Sequence, residues 1–155
     1  MSVPDLVIVG LVSDADHANG YQNNPFNFQN FGVNRIDLKR DGLPVPRHNY
    51  TPNLANGQYN KDYMTFLEQL DCDSGDKCIS LTVSESATGY TLYAFKITDG
   101  PIGPNNYGPR STSATGSVRL KVSFAAAQNE NIKVILLYQM IGRLEIYKFQ
   151  NVIVL

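Results

Sequence analysis

The sequence predicts an all-β sandwich carrying one short α-helix. Three observations point there. Apolar and polar residues alternate with a period of two through most of the chain, the pattern of strands with one buried face. Turn dipeptides recur between the alternating runs: Asn-Gly at 19–20 and 56–57, Asp-Gly at 41–42 and 99–100. Charged residues make up only 17%, against about 25% in a typical soluble domain, a composition suited to a surface that will be covered.

The elements follow in order. "DLVIVGLV", starting at Asp5, is an apolar run of strand length. A short "FNF" segment at 26–28 is a further strand candidate. "RIDLKR" sets Ile36 and Leu38 against Asp37 and Lys39; Asp41-Gly42 then forms a turn, and "LPV" returns as a short strand that Pro44 confines to an edge. "NKDYMTFLEQL" breaks the rhythm. Tyr63, Phe66, Leu67 and Leu70 form an i, i+3, i+4, i+7 stripe, which predicts a helix over about 61–70. Asn60 is its expected N-cap, with Tyr59 and Met64 as a hydrophobic staple. "ISLTVS" alternates Ile79, Leu81 and Val83. "TLYAFKIT" puts Tyr93, Phe95 and Ile97 on one face. "SVRLKVSF" turns Val118, Leu120, Val122 and Phe124 inward, and "IKVILLYQM", "RLEIYKF" and "NVIVL" complete the candidates, from which eight or nine strands are expected. Two long loops, 46–58 and 99–115, are rich in Pro, Asn or Gly, and loops of that length are usually functional.

The chain has 155 residues, no internal repeat and no linker, so 1–155 is expected to be a single domain, large enough for a core without staples. A net charge of −1 supplies no basic field for nucleic acid. "LVIVGLV" is too short to span a bilayer and lacks a basic lead-in, so neither a targeting segment nor a membrane role is expected. The "NYT" sequon at Asn49 is taken as chance without a signal peptide.

Chemistry-bearing groups are sparse. His17 and His48 fall in expected loops without a nucleophile context. Asp14, Asp16 and His17 offer metal-ligand types, though such residues are ordinary in turns. "DCDSGDKC" at 71–78 loosely suggests a calcium loop but lacks its full spacing and terminal glutamate. Cys72 and Cys78 can bridge that turn or stay as thiols, the latter favoured by an intracellular origin. "GPIGPNNYG" has no helix after it to present amides to a phosphate. Nine Tyr and seven Phe alternate along strands with few basic neighbours, which suits a core better than a base-stacking platform. The expectation is therefore no enzyme, no cofactor and no bound metal.

One stretch stands apart: "NNPFNFQNFGVNRIDLKRDG" at 23–42, with three Phe among Asn residues before a hairpin. Together with "YNKDYMTFLEQL" and "GYTLYAFKITDGPIGP", it resembles the C-terminal part of the double jelly-roll major capsid protein of Polinton (Maverick) elements and related viruses, a group that includes derived animal proteins. The similarity runs from about Asp5 to Val154. It implies an eight-stranded jelly-roll β-sandwich, the C-terminal half of a longer chain. It further implies a structural shell subunit whose partners are other copies of itself and an N-terminal jelly-roll half, three chains forming a capsomer. The implied location is the virion capsid, assembled inside the host cell. The family offers no catalytic residues, and the length leaves room for only one jelly roll. The candidate contact residues are Phe26, Phe28, Phe31, Tyr50, Ile102 and Tyr107, with the three Phe also anchoring their loop. Two rival classes are a lectin-like jelly roll that binds a ligand through its loops and a cupin-like enzyme, which would need metal-binding histidines on strands.

Overall fold

The computed structural model describes residues 3–18, 23–53, 56–72, 79–97, 115–140, 144–146 and 152–154. The strands are β1 (Leu6–Ser13), β2 (Val33–Arg40), β3 (Leu43–Tyr50), β4 (Leu92–Lys96), β5 (Val118–Phe124), β6 (Ile132–Gln139), β7 (Leu144–Ile146) and β8 (Val152–Val154). The helices are α1 (Asp14–His17), α2 (Asn60–Gln69) and α3 (Val83–Ala87). Two antiparallel sheets form, ordered β4-β1-β6 and β3-β2-β5, while β7 and β8 pair with each other. Between consecutive strands from β1 to β6, only β2 to β3 stays within a sheet; every other connection crosses to the opposite one.

Both sheets feed one core. Val7, Val9 and Leu11 of β1 and Tyr93 and Phe95 of β4 meet Val33, Ile36 and Leu38 of β2. The period of two dictates this, because alternate residues of β1 share a face. The chain is thus an all-β sandwich. The Asp41-Gly42 turn forms as its dipeptide predicts. Both residues take positive φ (49° and 85°), the backbone of the tight hairpin turns that match strand twist. The Ser117 N–H donates to Asp41 Oδ1 at 2.8 Å, tying the start of β5 to this turn.

The helix stripe is also realised. Phe66 of α2 is buried, and Leu67 and Leu70 pack beside it on the core. Its start differs from expectation. Tyr59, with no side-chain cap bond, is the N-cap, and Asn60 is already helical. Asn60, Met64 and Glu68 share the exposed face of α2, so Met64 points to solvent and staples nothing.

"ISLTVS" is not a strand. Residues 79–82 are irregular, and Val83 opens α3. A capping box takes precedence over three alternating apolar residues. The Glu85 N–H donates to Thr82 Oγ1 (3.3 Å), and the Thr82 N–H donates to Glu85 Oε2 (2.8 Å). "LPV" is longer than expected, since β3 runs on to Tyr50 with an irregularity in its register. It takes up the first part of the expected 46–58 loop and carries His48 on a strand. The "FNF" segment forms only one bridge, Phe28 to Tyr90. Cys78, most of "DCDSGDKC" and most of the 99–115 loop lie outside the described residues.

Candidate functional site

The Asn-rich loop is held by its own side chains. Asn24 Oδ1 accepts the Phe26 N–H at 3.0 Å, and Asn23 Nδ2 donates to the Ala15 carbonyl at 2.7 Å. Asn30 is buried and donates to the Tyr93 hydroxyl at 2.8 Å. Carboxamides satisfy irregular main chain that no ladder serves. The loop's main chain stitches β1 to the lead-in of β4. Gln29 N–H donates to Leu11 O (3.0 Å), Phe28 N–H to Gly89 O (2.9 Å) and Thr91 N–H to Phe28 O (3.0 Å).

The three Phe then have different fates. Phe28 lays its ring over Gly10 of β1, where a Cβ would stand 2.5 Å from Phe28 Cδ1. Phe31, at φ 51°, packs against the core. Phe26 is 67% exposed, so it presents an apolar ring to solvent while its edge meets Phe28, the ring centroids 6.4 Å apart. Tyr50 is fully buried and cannot be a contact residue. Its ring packs edge-on against Tyr93 and Phe95, each centroid 5.2 Å away, and burial pushes its hydroxyl well above the ordinary tyrosine range. Ile102 and Tyr107 lie outside the described residues.

One side of the sandwich is sealed. On β4, Ala94 and Lys96 turn their main-chain groups away from β1. The Tyr50 hydroxyl donates to Ala94 O (2.8 Å) and accepts from Ala94 N (3.3 Å), while Gln69 of α2 accepts the Lys96 N–H (3.0 Å). On the neighbouring edge, Pro44 and Pro46 remove two donors from β3.

On the opposite side no described strand or helix covers the edges of β5 and β6. In register with β1, Val134, Leu136 and Tyr138 share the inner face with Leu11, Val9 and Val7. Those β1 partners are at most 1% exposed, yet Val134 is 46%, Leu136 37% and Tyr138 47% exposed. An apolar cleft of about 170 Å³ lies there, lined by Val7, Leu38, Val118, Leu120, Leu136 and Tyr138 among others. The local sequence conceals this feature, since "VILLY" has the continuous apolar run of a strand buried on both faces.

Among the described residues, every buried side-chain nitrogen or oxygen has a hydrogen-bond partner. Asp14 Oδ1 lies 2.9 Å from Lys133 Nζ, and Asp16 accepts from Asn27 at 3.3 Å. Among the described residues, no three His, Cys, Asp or Glu side chains converge as a metal site would require. Burial raises the Asp62 carboxyl above its ordinary range, against the opposing pull of the Thr51 N–H and of Lys61. At the loop end of the sandwich a groove of about 1000 Å³ carries Asn27, Gln29, Asn34, Asn53 and Thr88 over Phe31. None of its described lining residues is charged.

By fold, then, this is an antiparallel two-sheet protein whose β4 edge is capped by side chains and whose β6 edge no described strand covers. The chain matches no protein-family model, no curated protein and no solved structure.

Proposed function

We propose that the chain is a jelly-roll subunit of a capsid-like protein shell, acting by association with other copies of itself. The observation that carries this reading is the one-sided closure of the sandwich. An apolar row and cleft stand open at β5 and β6 while the other side is plugged. Exposed contiguous apolar surface of this kind marks an association site. The crossing of nearly every connection between β6-β1-β4 and β5-β2-β3 supports a jelly roll, whose Greek keys switch sheets in this way. With β7 and β8 the strands would number eight. In the full shell protein this unit would be the C-terminal half of a double jelly roll, and three chains would build a capsomer of the virion.

Light scattering over a concentration series tests the reading, with electron microscopy at the highest concentration. The expected results are reversible association and regular assemblies. A chain that stays monomeric, forms no such assembly and turns over a small substrate would refute it. The uncharged groove of carboxamides favours a second reading, a lectin-like module that binds through its loops. A ligand-dependent rise in melting temperature without assembly would favour that reading over the shell.

A further inference from the structure

We propose that the open edge of β6 pairs with β6 of a second copy, antiparallel about a two-fold axis, with Leu136 opposite Leu136. This rests on the shell reading and adds the partner surface and its register.

The direction of the main-chain groups comes first. Asp14 and Asn131 continue the β1–β6 register, and the Asp14 N–H donates to Asn131 O at 2.9 Å. Odd-numbered residues of β6 therefore turn their N–H and C=O groups toward β1. Val134, Leu136 and Tyr138 turn theirs outward, to an edge that no described strand covers. A strand added there must place even-numbered residues opposite even-numbered ones if it is another β6.

Side chains then select the register. With Leu136 on the axis, Val134 faces Tyr138, an aromatic and β-branched pair of the kind that stabilises sheets. Lys133 faces Gln139, so no like charges meet. Lys133 is the one charged residue of β6, and its ammonium already sits beside Asp14. Within β6 the edge has no proline, no register shift against β1 and no charge besides Lys133, and no described strand covers it. Opposed residues of antiparallel strands share a face, so the two half-exposed inner rows would meet and cover both clefts. The partner is a second copy because in this register the edge sets its own donors opposite its own acceptors and brings no like charges together.

The experiment has two arms. Sedimentation velocity compares the wild type with Leu136→Lys. In a Cys72→Ser, Cys78→Ser background, Leu136→Cys and Val134→Cys are then oxidised. A wild-type dimer and a folded Leu136→Lys monomer are expected. Leu136→Cys should cross-link, because hydrogen-bonded pairs place Cα atoms about 5.5 Å apart, within disulfide reach. Val134→Cys should not, since its counterpart lies four residues along the partner strand, about 13 Å away. A monomeric wild type, including one whose Leu136→Lys variant unfolds because the chain's own residues cover the edge, overturns the proposal. So do equal cross-linking at both positions, or association that Leu136→Lys leaves unchanged. In that last case the shell reading survives on another surface. A dimer with this cross-link pattern that never builds larger assemblies refutes the shell and leaves the pairing intact.

Discussion

Gly10 and Phe28 should behave as one unit under mutation. A methyl group at Gly10 would meet Phe28 Cδ1 at 2.5 Å and Cε1 at 2.7 Å, where carbon atoms prefer about 3.5–4.0 Å. The ring would have to retreat by about 1 Å. It has little freedom to do so, because Phe28 N–H and C=O are both bonded and Gln29 is tied to Leu11. Overpacking of this kind costs about 1–3 kcal/mol. Replacing a strand glycine by alanine returns about 0.5–1 kcal/mol, so Gly10→Ala should lose up to about 2.5 kcal/mol net. Phe28→Ala, at a half-buried position, should lose about 2 kcal/mol, below the cost at a fully buried site. In the Phe28→Ala background the clash is gone, and Gly10→Ala should be neutral or stabilising by about 0.5–1 kcal/mol. The double-mutant cycle then shows about 1–3 kcal/mol of coupling. Urea unfolding followed by circular dichroism measures it, with the slope checked for constancy. An equal cost of Gly10→Ala in both backgrounds would refute the account of why β1 carries a glycine at its centre.

Burial raises the Asp62 pKa, so the folded protein holds that proton more tightly than the unfolded chain does. The stability from this preference is complete below the ordinary value of 3.8 and is lost as pH rises through the folded value. Asp62→Asn keeps an acceptor for the Thr51 N–H without the charge; it should melt above the wild type at pH 7, and the gap should close on acidification. Phe66→Ala should cost about 3–5 kcal/mol in urea unfolding; melting within a degree of wild type would remove α2 from the core. Tyr50→Phe leaves the Ala94 N–H and C=O at a buried edge without their partner. It should cost about 1–3 kcal/mol and speed hydrogen exchange at Ala94.

Much of the sandwich is legible because its signals are local. The apolar run of β1, the alternation of β4 and β5 and the Asp41-Gly42 turn each lie within a few residues, and so does the Phe66–Leu67–Leu70 stripe. The misreadings arise where a second local signal competes or where the deciding contact is distant. Thr82 and Glu85 spell a capping box inside an apparently alternating run. Pro46 makes the second half of β3 look like a loop, yet an edge strand tolerates it as it does Pro44. Tyr50 looks like a loop aromatic because the group it serves, Ala94, is 44 residues away. Phe26, Phe28 and Phe31 look equivalent in sequence, but only Phe28 falls over the missing side chain of Gly10. The open face of β6 escapes notice for the opposite reason. Its apolar run describes a buried strand, and only the sheet order shows that nothing described lies beside it.

The plug on β4 has a consequence for the size of any assembly. A sandwich with two bare sides could add copies at both, and strand-to-strand growth would then continue into a fibre. Here Tyr50 and Gln69 occupy one terminus of the β4-β1-β6 sheet, so among the described residues that sheet offers β6 alone as an uncapped edge. If β6 pairs with β6 of a second copy, growth through this sheet stops at two. Anything larger must use a different geometry, such as the exposed Phe26 loop, so the two kinds of contact can be strengthened or weakened separately. Stripping the plug would turn a contact that ends itself into one that propagates.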